Sequence, residues 1–90
     1  MQVDDRPQRD ERVVWRRGDE GVVVLNPNDG QYFSLDDVGG RIWELCEGDR
    51  SISEIADVLA EEYDADAAVI QADALELLQD LKGEGLVTVR

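Results

Sequence analysis

Histidine is absent from this chain, and cysteine occurs once. Without histidine the commonest general base and metal ligand at neutral pH is missing, so acid–base chemistry would fall to carboxylates. The single thiol, Cys46, excludes an intrachain disulfide and a cysteine-based zinc site. It lies on the apolar face of a predicted helix, where an inert buried thiol is expected. Basic residues are scarce: 9 Lys and Arg stand against 22 Asp and Glu, for a formal charge of -13. That field repels phosphate backbones and argues against a nucleic-acid partner. No positively charged start leads into an apolar run, so no signal peptide is expected. The longest apolar runs, such as Val22 to Leu25, are far too short to span a bilayer. The expected location is the cytoplasm, with no membrane partner.

What remains is an ordinary soluble composition, 42% hydrophobic and 34% charged. Ninety residues make one domain that buries roughly 60–65% of its unfolded surface. Residues 1–11 are polar, lack periodicity and contain Pro7, and are expected to be a mobile tail ahead of a domain spanning 12–90. A first strand is predicted over Arg12 to Arg17 and a second, the clearest, over Val22 to Leu25. Gly18-Asp19-Glu20-Gly21 and Asn26-Pro27-Asn28-Asp29-Gly30 have the chemistry of turns. A third strand follows over Gln31 to Leu35, completing an antiparallel meander.

Beyond this point the pattern is helical. Asp36 or Asp37 caps a first helix carrying Val38, Ile42, Leu45 and Cys46, with its end expected near Gly48. Ser51-Ile52-Ser53-Glu54 is a capping box for a second helix bearing Ile52, Ile55, Ala56, Leu59, Ala60 and Tyr63. Asp64 or Asp66 opens a third, with Ile70, Ala74, Leu77, Leu78 and Leu81 on one face and Gly83 and Gly85 at its stop. Leu86 to Val89 is a short final strand or an extended tail. The fold class is therefore α+β, a three-stranded antiparallel sheet followed by three helices.

Each edge of such a sheet offers unpaired N–H and C=O groups to any other chain. Arg12, Arg16 and Arg17 guard the first strand; the third, Gln31-Tyr32-Phe33-Ser34-Leu35, carries no charge. If the third helix lies along it, strand and helix form a groove with a hydrogen-bonding rail, suited to an extended peptide that adds as a strand. The alternative is that Tyr32 and Phe33 are core and Leu86 to Val89 covers the edge. The pattern alone slightly favours the covered edge.

The stretches GQYFSLDDVGGRIWEL, ISEIADVLAEEYDAD and ADALELLQDLKGEGLV, in this order and spacing, closely resemble the PqqD-like proteins. These are the recognition elements of ribosomally made, post-translationally modified peptide pathways. The resemblance covers about Val13 to Val87; the family usually shows Asn where this chain has Asp36, which keeps the capping chemistry. It implies a winged-helix-like domain that binds the leader segment of a precursor peptide between the third strand and the third helix. Position by position, it implicates Gln31, Tyr32, Phe33, Ser34 and Leu35 for backbone pairing. On the third helix it implicates Val69, Asp73, Leu77 and Asp80, with Glu76 on the same acidic rim. The subgroup most resembled is that of lasso-peptide pathways, where a separate leader peptidase is the partner. The pyrroloquinoline-quinone pathway protein that partners a radical SAM enzyme is the nearest alternative.

Other classes fit less well. Catalytic carboxylates would have to be pairs such as Asp36-Asp37 or Glu61-Glu62, and adjacent acids on helices are usually solvated or dipole partners. An acyl carrier protein would show its prosthetic serine in an Asp-Ser-Leu context, whereas Ser34-Leu35 follows Phe33, and a β-rich first third does not suit that fold. A winged-helix DNA binder needs a basic recognition helix, but here Asp73, Glu76 and Asp80 face only Lys82. No catalytic residue, metal or cofactor is expected.

Overall fold

The computed structural model describes residues 1–90. Its elements are β1 (Pro7–Arg9), β2 (Val14–Gly18), β3 (Gly21–Leu25), β4 (Tyr32–Leu35), α1 (Asp37–Glu44), α2 (Ile52–Tyr63), α3 (Ala67–Gly83) and β5 (Val87–Val89). The meander is present as an antiparallel sheet in the order β2-β3-β4, and a separate ribbon pairs β1 with β5. Val22 and Val24 of β3 point into the core, while Val23 between them points out. That alternation is the period of a half-buried strand. The buried face packs on α1 and shares one core with Ile42 and Trp43 of α1, Ile52, Ile55 and Leu59 of α2, and Ala74 and Leu78 of α3.

Each helix begins as its sequence dictates. Asp36 accepts from the Gly39 N–H, Ser51 and Glu54 form a complete capping box, and Asp66 accepts from the Ala68 N–H. Gly40 is what brings α1 down onto the sheet. A methyl group there would lie 2.7 Å from Val22 Cγ2, closer than packed atoms tolerate. Gly21, at φ 145°, is required at the β2–β3 turn, because a side chain would run into the Leu35 carbonyl. Around α1, Arg17 pairs with Asp37 and Glu44, Arg41 pairs with Glu62, and the Tyr63 hydroxyl donates to Asp37 at 2.7 Å. The carboxylate beside it pushes the Tyr63 phenol up to about 12.

Three expectations are corrected. Residues 1–11 are not a free tail: Pro7–Arg9 pairs with Val87–Val89, and Asp5 and Val3 carbonyls accept from the Ile52 and Ser53 N–H groups. The domain therefore starts well before residue 12. Arg9 explains the attachment, since its guanidinium donates to the Trp43 and Glu44 carbonyls at the end of α1 and lies 5.1 Å from the Trp15 ring centre. The first helix ends at Glu44 rather than near Gly48. Arg9 takes the last carbonyls, and Glu47 bridges to Gln8 in an antiparallel sense. The first strand of the meander runs from Val14 to Gly18 rather than from Arg12 to Arg17, because Asp10 draws the preceding segment into a turn, accepting from the Arg12 backbone and side chain.

Candidate peptide-binding groove

The loop before β4 sets everything at its edge. Gly30 adopts φ 72°, the Asn28 N–H bonds the Asn26 side chain, and the Gln31 N–H bonds the Asp29 side chain. The Asn26 N–H then donates to the Gln31 carbonyl at 2.8 Å, which makes 26 and 31 a hydrogen-bonded pair of the ladder. Given the register Val24↔Phe33 and Val22↔Leu35, the alternation assigns the N–H and C=O groups of Phe33 and Leu35 to β3. Those of Tyr32 and Ser34 point to the open side. The two-residue turn pairing Gly18 with Gly21 gives the same parity from the other side of β3.

Nothing in the chain takes up those outward groups. The segment that could have covered the edge, Leu86 to Val89, runs instead to β1. Facing the edge is one side of α3, where Asp73, Leu77, Asp80 and Glu84 succeed each other at spacings of four, three and four. Two hollows join strand and helix. One, of about 570 Å³, includes Phe33, Leu35, Leu77, Asp80 and Glu84 in its lining. The other, of about 490 Å³, includes Leu35, Val38, Ile42, Asp73 and Leu77. They share Ser34, Leu35 and Leu77, so they are two halves of one groove with Leu77 between them.

One end of the groove is tied, where the Asn26 amide donates to the Glu84 carbonyl at the end of α3, 3.2 Å away. At the wall the two hollows share, Leu77 and Leu35 stand over Gly39, where a methyl group would lie 3.5 Å from Leu77 Cδ2 and 3.6 Å from Leu35 Cβ. Asp36, Asp73, Asp80 and Glu84 line the groove, and no Lys or Arg does. None of the four is in an ion pair. An apolar floor, a polar rail and an uncompensated acidic rim suit an extended peptide with apolar and basic side chains.

Of the residues expected at the site, Phe33, Ser34, Leu35, Asp73, Leu77 and Asp80 line the groove. Gln31 precedes the strand, its carbonyl already used by Asn26. Tyr32 is on the edge, but its side chain belongs to the opposite face of the sheet and the residue is 70% exposed. Val69 and Glu76 are exposed on α3 outside both hollows. The sequence reading missed Asp36, Val38 and Ile42 as lining residues, having assigned them to a helix cap and a core face. It also missed Asn26 and Glu84; a loop asparagine and a helix-end glutamate carry no local mark of that role. Cys46 is fully buried, its thiol donating to the Ile42 carbonyl and pushed up to about 12 by burial. It is remote from nucleophile chemistry. No three His, Cys, Asp or Glu side chains are gathered so as to hold a metal ion, and no helix is long and apolar enough to cross a membrane.

An uncovered edge strand facing a helix across an apolar groove is the hallmark of a domain that recognises peptides by strand addition. The chain belongs to the PqqD family, whose model, described as coenzyme PQQ synthesis protein D, matches residues 21–87. It is similar to the PqqA binding protein of Rhodopseudomonas palustris (strain HaA2), with 42% identity over 66 residues, 73% of this chain. It spans 63% of that relative's length. Among solved structures, TbiB1 in complex with the TbiA(beta) leader peptide shares the fold at a TM-score of 0.77 and 35% identity, over 89% of this chain and 93% of that one. The solution structure of the PqqD truncation of Methylobacterium extorquens PqqCD, a stand-alone RiPP recognition element, matches at a TM-score of 0.77 and 32% identity, over 91% and 87%.

Proposed function

We propose that this chain binds the leader segment of a ribosomally made precursor peptide as a fourth strand on β4 and presents it to a modifying enzyme, with no catalytic step of its own. The observation that carries the reading is the pair of outward-facing residues, Tyr32 and Ser34, bordering an apolar groove tied at one end by Asn26. Similarity to TbiB1, whose structure holds a leader peptide, supports it. The enzyme served is the leader peptidase of a lasso-peptide pathway, working with this domain in the cytoplasm. A second reading, delivery of a precursor to a radical SAM enzyme, is favoured by the identity with a PqqA binding protein.

Calorimetry with the leader and core halves of the candidate precursors tests this. The cognate leader is expected to bind with a Kd between micromolar and tens of nanomolar, about -8 to -10.5 kcal/mol, after ordering of the peptide has cost several kcal/mol. The core half should not bind. Because Asp36, Asp73, Asp80 and Glu84 are unpaired, affinity for a Lys- or Arg-bearing leader should fall as salt rises. Equal affinity for leader and core would overturn the assignment.

A further inference from the structure

The meander has a second face, and its composition is unlike that of the rest of the molecule. Val14 is 62% exposed, Val23 43% and Tyr32 70%. The register Val14↔Leu25↔Tyr32 sets three of its side chains in one row across all three strands, and Arg16↔Val23↔Ser34 forms the next. In a chain of charge -13 with 22 acidic residues, none of these six is acidic. Arg16 is exposed and in no ion pair, whereas Arg17 beside it is held by Asp37 and Glu44. Asp19, Glu20 and Asp36 border Val23 and Ser34 at one end of the face, but exposed apolar side chains around an unpaired cation have the make-up of a contact surface.

The face is also continuous with the β4 edge. Tyr32 and Ser34 turn their backbone groups to that edge and their side chains to this face, so an added strand would widen it by every second side chain. Three strands of four or five residues present a projected area of about 14 by 17 Å, on the order of 240 Å². A stable interface takes about 800 Å² from each partner. The face alone is too small, and a fourth strand enlarges it.

Resting on the strand-addition reading, we propose that the outer face of β2-β3-β4, together with the added leader strand, is the docking surface for the modifying enzyme. The enzyme's complementary patch is apolar and carries a carboxylate opposite Arg16. It therefore binds the domain–leader complex more tightly than the free domain.

The test uses the full chain, its leader peptide and the purified modifying enzyme of the same pathway, with Val14→Asp, Arg16→Glu and the conservative Val14→Thr. These positions lie on β2, two strands from the β4 edge, so leader affinity should stay within about twofold of wild type. Enzyme affinity for the domain–leader complex should drop by about tenfold or more in Val14→Asp and Arg16→Glu and survive in Val14→Thr. If Val14→Asp does not fold, Arg16→Glu carries the test. Wild-type enzyme affinity in Arg16→Glu would overturn the proposal. So would a wild-type dimer in sedimentation that Arg16→Glu dissolves, since the occupant would then be a second copy. If the wild-type chain binds no leader, the reading of the β4 edge fails first and this inference falls with it.

Discussion

Asn26 is 3% exposed and uses both ends of its amide, the oxygen accepting from the Asn28 N–H and the nitrogen donating to the Glu84 carbonyl. It therefore shapes the loop that sets the β4 register and ties that loop to α3. Asn26→Ala leaves two partly buried groups unpaired, a loss of about 1–3 kcal/mol, or a Tm lower by roughly 5–15 °C. Asn26→Asp keeps the acceptor for Asn28 but sets an oxygen against the Glu84 carbonyl. Both variants should weaken leader binding although Asn26 lines neither hollow, as calorimetry beside a thermal melt would show. A stable variant with unchanged affinity would mean that the brace does not hold the groove. Asn26 also marks a limit of sequence reading. Asn-Pro-Asn-Asp-Gly announces a turn, but no local pattern says that its first side chain reaches a helix 58 residues later.

The strand and the helix that make the groove were both legible as elements. Tyr32 to Leu35 carried aromatic and apolar content without charge, and Ile70, Ala74, Leu78 and Leu81 followed helical spacing. Which backbone groups of the strand faced outward was not legible, because a slip of one residue reverses the assignment and only the loop decides it. The register now separates two proline variants. Phe33→Pro removes an N–H that belongs to the β3 ladder along with a half-buried ring, and should cost about 3 kcal/mol or more. Ser34→Pro removes an outward N–H at an edge, where proline is tolerated, and leaves the preceding residue in the extended region it already occupies. It should stay folded and lose about tenfold or more in leader affinity, or about 1.4 kcal/mol. Circular dichroism and calorimetry on the two proteins check this; Ser34→Pro binding normally would contradict it.

At the scale of the molecule, charge and chain topology divide the work. Asp73, Asp80 and Glu84 of the acidic rim lie on the α3 side, while the six outward side chains of the sheet include an unpaired arginine and no acid. The charge balance was plain in the composition, but its segregation needed the fold. The β1–β5 ribbon was not legible because strands of three residues are shorter than any periodic pattern, and their partners lie at opposite ends of the sequence. By claiming Val87 to Val89 for β1, the ribbon leaves β4 bare, and the proposed function depends on that bareness. Amide hydrogen exchange, followed by NMR with and without saturating leader peptide, tests it most directly. Phe33 and Leu35 should be protected in both states, whereas Tyr32 and Ser34 should exchange fast in the free protein and become protected when the leader binds. A bound leader that leaves Tyr32 and Ser34 exchanging as fast as before would contradict strand addition at this edge.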